Sequence, residues 1–163
     1  MTSPLPAVVF DINVFIDAFL GADSEWPLLE SVPPTTSNAS ADCISLAFDA
    51  EDFRLVVSPH ILKNIGTVLR REGLSAELTA SWIAAAVDIV ELTGGVVIDP
   101  ERQVFDVKDH EDNLILDLAL ACDAILVVSN DTDLTSLSPW HGRLPILRPR
   151  DFVLRMVQNR RRR

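Results

Sequence analysis

The stretch Ala7-Val8-Val9-Phe10-Asp11-Ile12-Asn13 decides how this chain is read. Four consecutive apolar residues are what a strand buried on both faces requires, and an acid follows at the point where the strand ends. Four more short runs repeat the theme: Arg54-Leu55-Val56-Val57, Val96-Val97-Ile98, Ala124 to Val128 and Leu144 to Leu147. Helical spacing fills the intervals. Ser58-Pro59 supplies an N-cap and a proline at the first helical position, and Ile61, Leu62, Ile65, Val68 and Leu69 carry an apolar face towards Gly73. Ser75 opens a second helix through Leu78, Trp82, Ile83, Ala86 and Ile89, stopped by Gly94-Gly95. A third runs from about Asp109 to Cys122, burying Ile115, Leu118, Ala119 and Cys122 at i, i+3, i+4 and i+7.

Strands alternating with helices imply parallel crossovers, hence a five-stranded parallel α/β sheet covered on both faces. Functional sites in such sheets form outside the carboxyl ends of the strands. Ser31 to Ser40, with two prolines, reads as a loop before a helix around Cys43 to Ala50. It is too short for a domain linker, so residues 1–155 are expected to form one domain and residues 156–163 a basic tail.

The chain has 163 residues, 48% hydrophobic and 23% charged, enough for a core that needs no disulfide or structural metal. Cys43 and Cys122 stand apart without C-x-x-C pairing, as free thiols in a reducing compartment would. No apolar run approaches the roughly 20 residues of a membrane helix, and Met1 to Asp11 has no signal-peptide pattern, so a cytoplasmic protein without a membrane partner is expected. The net charge of −10 argues at first against nucleic acid. Its distribution changes that inference. Residues 143–163 hold eight arginines against Asp151 alone, a net of +7, whereas residues 1–142 hold six basic and 23 acidic side chains, a net of −17.

The acids fall where strands end. Asp11 follows the first strand, Asp112 lies in the first turn of the helix opened by Asp109, and Asp131 follows the strand ending at Val128. Such a cluster suits a hard divalent cation, which takes one or two carboxylates together with waters and phosphate oxygens. Each acid also has an ordinary structural account. Asp11 can cap the turn after its strand, Asp109 and Asp112 can cap a helix and complement its dipole, and Asp131 and Asp133 can be turn residues. His60, His110 and His141 share no metal-binding spacing, and no phosphate-loop, dinucleotide or serine-hydrolase motif is present.

Taken together the segments resemble the PIN domain over nearly the whole chain. Asp11-Ile12-Asn13-Val14 matches its D-x-N opening, and Asp109-His110-Glu111-Asp112-Asn113 resembles its D-x-x-D-N helix start. Val127-Val128-Ser129-Asn130-Asp131-Thr132-Asp133-Leu134 resembles its V-T/S-x-D-x-D-L segment, and Ile146 to Phe152 is similar to the ending of a toxin subgroup. The resemblance implies a three-layer α/β/α sandwich and an Mg²⁺- or Mn²⁺-dependent endoribonuclease, commonly the VapC-type toxin of a toxin–antitoxin pair. It implies RNA hydrolysis by a metal-bound water, with Asp11, Asp112 and Asp131 as ligands and catalytic acids. Asn13, Ser129, Asp109 and Asp133 would orient ligands or substrate. Implied partners are an RNA substrate, a cognate antitoxin and a second copy of the chain.

One position departs from the pattern. The family's second acid, in S-P-x-x-x-x-E, falls on Asn64, which can offer a carbonyl oxygen to the cation but neither charge nor a proton acceptor. Asp17, Asp109, Glu111 and Asp133 are candidates to compensate. The alternative is therefore a weakened or inactive PIN-fold module that binds RNA or protein. A third option is a metal-dependent phosphatase or flap-type DNA nuclease.

Overall fold

A computed structural model describes residues 3–21 and 37–163. It gives β1 (Ala7–Phe10), α1 (Ile12–Leu20), α2 (Ala39–Asp49), β2 (Arg54–Val56), α3 (Pro59–Arg71), α4 (Ala76–Leu92), α5 (His110–Ala121), β3 (Leu126–Val128), α6 (Thr132–Thr135), β4 (Ile146–Leu147) and α7 (Pro149–Arg161). Of the loop expected over Ser31 to Ser40, residues 31–36 lie outside the described residues. The helix expected near Cys43 starts earlier, at Ala39, because Asn38 caps it by accepting a hydrogen bond from the Ala41 N–H at 3.1 Å.

All strand pairs are parallel, in the order β2-β1-β3-β4. Val8, Val9 and Phe10 are fully buried in succession, so both faces of the central strand are covered by helices. Phe10 anchors an aromatic cluster with Phe15, Phe53 and Phe152, ring centroids 5.6–6.1 Å away. The chain passes from β1 to β2 on one side, while β3 lies on the other. The switch point therefore falls between β1 and β3, and a crevice opens at their carboxyl ends.

Among the described residues the sheet has four strands, not the five expected. Val96-Val97-Ile98 is reduced to a single parallel bridge, Val57 to Val97. The reason lies just upstream. The Leu55 N–H that a fifth strand would take is given to Thr93 Oγ1 at 2.8 Å. Gly95 also passes so close to β2 that a Cβ there would sit 1.8 Å from the Leu55 carbonyl oxygen. Pairing can begin only at Val57, and Val96 and Val97 remain exposed.

The basic end is also corrected. Residues 156–161 are the last turns of α7 rather than a free tail, with Met156 buried. Arg160 donates to Asp52 at 2.6 and 2.8 Å and to Asp49 at 2.8 Å. Among the described residues no helix is long and apolar enough to cross a membrane.

Candidate active site

The crevice between β1 and β3 gathers most of the residues singled out from the sequence. Asp11, leaving β1, is the N-cap of α1, its Oδ1 accepting from the Ile12 N–H at 2.7 Å. Its Oδ2 accepts from Ser129 Oγ at 2.7 Å and from Asn13 Nδ2 at 3.0 Å. Asn13 reaches across to the segment after β3, where its Oδ1 accepts from the Asn130 N–H at 3.0 Å. Ser129 Oγ in turn accepts from the Asp131 N–H at 2.9 Å. One amide and one hydroxyl thus tie the two strand ends together around the Asp11 carboxylate.

Asp131 caps α6, its Oδ1 accepting from the Asp133 N–H at 2.9 Å, and Asp109 caps α5, its Oδ1 accepting from the Glu111 N–H at 2.8 Å. The structural account of these acids is therefore correct as far as it goes: Asp11, Asp109 and Asp131 are all N-caps. Asp112 is different. It is 4% exposed, caps nothing, and its Oδ2 has no hydrogen-bond partner among the described residues.

Burial, then the charges of Asp131, Asp109, Asp11 and Asp133, raise the Asp112 carboxyl from 3.8 to about 6. Burial also raises Asp11, with Asp131 adding to it, against the hydrogen bonds from Ser129, Ile12 and Asn13. Asp112 is thus brought within reach of the charges of Asp131, Asp109, Asp11 and Asp133, in that order of effect, and Asp11 within reach of that of Asp131. Among the described residues no basic side chain pairs with Asp11, Asp112 or Asp131.

These residues fit a hard cation in donor chemistry, because every donor is an oxygen and an orphaned carboxylate oxygen is present. Among the described residues no three His, Cys, Asp or Glu side chains form a ready cage. Mg²⁺ does not require one, since it keeps several waters and takes only one or two carboxylates.

Asn64 stands apart from that cluster, on the wall of an adjoining pocket of about 300 Å³ lined by Asp11, His60, Asn64, Thr67, Arg71 and Glu111 among others. Its Nδ2 lies 3.0 Å from Glu111 Oε2 and 2.9 Å from His60 Nε2, and His60 contacts the same Glu111 oxygen. Sequence reasoning passed over His60 and the Asn130 side chain, which bridges Asp17 at 2.6 Å and Ser40 at 3.0 Å. The signal for His60 was available: with Asn64, Thr67 and Arg71 it forms a polar stripe beside the buried Ile61, Ile65 and Leu69.

The family model described as PIN domain matches residues 7–133, from the first strand to the second acid of the last acidic segment. The chain belongs to the PIN-domain family. It is similar in fold to a chain of the crystal structure of VapBC2 from Rickettsia felis bound to a DNA fragment from their promoter. That likeness has a TM-score of 0.52 and 12% identity, over 87% of this chain and 98% of that one. No curated protein sequence matches the chain.

Proposed function

We propose that the protein is a divalent-cation-dependent endoribonuclease and the toxin of a toxin–antitoxin pair. The observation that carries this reading is Asp112, a buried carboxylate with an orphaned oxygen among acids that raise its pKa. Capping accounts for its neighbours but not for it, and leaving such a group unpaired is destabilising unless a cation joins it. Asp11 and Asp112 would hold the cation, directly or through water, and Asp131 would add charge. Such a cation, when bound, supplies the positive charge that lowers the pKa of a water and offsets charge developing on phosphate oxygens.

The rest of the work falls to the chain itself. Ser129 and Asn13 hold the rotamer of Asp11 and favour its ionised form, against the burial that raises its pKa, by donating to its Oδ2. Asp109 and Asp133 keep the local potential negative, which favours a cation and holds the phosphates of RNA off until one is bound. Membership of the PIN family supports the nuclease chemistry. The fold likeness to a VapBC2 chain supports a toxin held by an antitoxin, whose Lys or Arg side chains would oppose the acidic crevice. A homodimer and a cytoplasmic location belong to the same reading.

The test incubates metal-free protein with Mn²⁺ and, in parallel, RNA, single-stranded DNA and a small phosphate ester. We expect RNA cleavage alone, and a loss of roughly 100-fold or more in Asp112→Asn, the scale of removing one charge-stabilising group from a catalytic site. RNA bound but not cut favours the inert binding module. Cleavage undiminished in Asp112→Asn contradicts the proposed site.

A further inference from the structure

The last turn of α3 carries two arginines, and they are used differently. A cation there complements the helix dipole, and Arg70 does so directly by donating to the Leu74 carbonyl at 2.9 Å. Arg71 instead lines the pocket that Asp11 also lines. Because β1 and β2 run parallel, with Val9 beside Val56, α3 starts near Asp11 and Arg71 stands at its far end. Arg71 is exposed, and among the described residues no carboxylate pairs with it, although acids outnumber basic side chains 23 to six over residues 1–142. Asn64 and Thr67 share its face of the helix at i, i+3 and i+7. Between Asp11 and Arg71 the pocket is walled by Ile12, Ile61, Val68 and Ile115. Its volume of about 300 Å³ is at the lower end for small-molecule clefts, which suits one flat group and not a folded segment.

We propose that this pocket is a subsite for one nucleotide of single-stranded RNA, its base held between the apolar walls and its outer phosphate held by Arg71. The inference rests on the nuclease reading above, because the cation at Asp11 is what fixes the inner phosphate. The order of groups in RNA matches the order in the pocket. A base has apolar faces that gain by leaving water, and it carries a phosphate on either side. The pocket offers apolar walls with positive charge at both ends, the cation at one and a guanidinium at the other, whose planar fork suits phosphate oxygens. From Asn64 to Arg71 α3 rises about 10 Å at 1.5 Å per residue, a span that one nucleotide with both its phosphates can cover. A base paired in a duplex cannot enter, so the strand must be single. An arginine-bearing peptide that suits the acidic crevice would meet Arg71 as a like charge.

Fluorescence anisotropy of a labelled single-stranded RNA, with Ca²⁺ in place of Mn²⁺, reads binding by the full chain, and electrophoresis checks that the RNA stays intact. We expect Arg71→Gln to weaken binding about tenfold, the scale of one charged hydrogen bond. It should also make the slope of log affinity against log salt shallower by about 0.7, the share of one phosphate in a single strand. Arg70→Gln removes the same charge one residue away and is expected to leave that slope unchanged. Thr67→Trp fills the pocket from the exposed face of α3. A ribose-phosphate chain of equal length without bases should bind the unaltered protein about tenfold more weakly than RNA, the scale of one stacked base. Thr67→Trp should remove that preference. Circular dichroism melts of each variant check that all are folded.

An unchanged slope in Arg71→Gln, an equal change in Arg70→Gln, or a preference for bases that survives Thr67→Trp overturns the subsite. Cleavage of RNA with Mn²⁺ in that case leaves the nuclease reading standing. The expected binding results in a protein that cuts no RNA support the subsite and overturn the nuclease reading. No RNA binding by the unaltered protein overturns both together.

Discussion

Buried carboxylates occur in two regions of this molecule, and the regions treat them in opposite ways. Away from the crevice each one is neutralised by the chain itself. Asp117 accepts from the Gln103 and Val104 N–H groups, each at 2.8 Å, and from Arg102 Nε at 3.0 Å. Asp42 pairs with Arg150 at 2.9 Å and Asp52 with Arg160; Asp52 Oδ1, like Asp112 Oδ2, has no hydrogen-bond partner among the described residues, but Asp52 has a cation beside it. At the crevice Asp11 is served by neutral donors only, and Asp112 faces other acids with one oxygen unpartnered among the described residues. The fold supplies an arginine to Asp42, Asp52 and Asp117 but, among the described residues, none to Asp112, and the proposed cation site rests on that contrast.

Substitutions separate the two kinds of acid. The largest expected effect is at Asp117. Asp117→Ala strands two backbone N–H groups and Arg102, and should lower stability by about 3–5 kcal/mol in urea melts. It should unfasten residues 102–104, which lead into α5. Next comes Arg160→Ala, which leaves buried Asp52 with only Arg163 at 3.6 Å and should remove about 2–3 kcal/mol. Deleting residues 156–163 should therefore unfold the protein rather than merely weaken RNA binding, since Met156 and Arg160 go with them.

The smallest effect has the opposite sign. Because the folded pKa of Asp112 lies near 6, above its ordinary 3.8, the folded state holds that proton more tightly than the unfolded state. Its contribution to stability is therefore unpenalised below pH ~4, is lost as pH rises from ~4 to ~6, and stays lost above. Asp112→Asn should accordingly stabilise the metal-free protein above pH 6, by about 1–2 kcal/mol after screening by salt, with no gain at pH 4. Chemical denaturation at the two pH values reads it directly. A destabilised Asp112→Asn at neutral pH would place Asp112 with the structural acids.

The sequence carried the central features because they are local. A run such as Val8-Val9-Phe10 followed by Asp11 marks both a buried strand and the acid at its carboxyl end, and the same holds for Leu126-Val127-Val128 and Asp131. What it hid was tertiary. The fifth strand was lost to a Thr93 side chain bonding Leu55, 38 residues away. Arg160 read as part of a basic tail because its partners Asp49 and Asp52 lie 111 and 108 residues earlier. The consequence of Asn64 was equally hidden, for only folding brings Glu111, 47 residues on, against its amide.

Thermal denaturation at pH 7.5 with and without Mn²⁺, comparing the unaltered chain with Asp112→Asn, tests most directly whether the crevice is built for a cation. With Mn²⁺ at about a hundredfold over its dissociation constant, the unaltered chain should melt roughly 5–10 °C higher and Asp112→Asn should show almost no shift. Equal shifts in both, or none in the unaltered chain, would contradict the account.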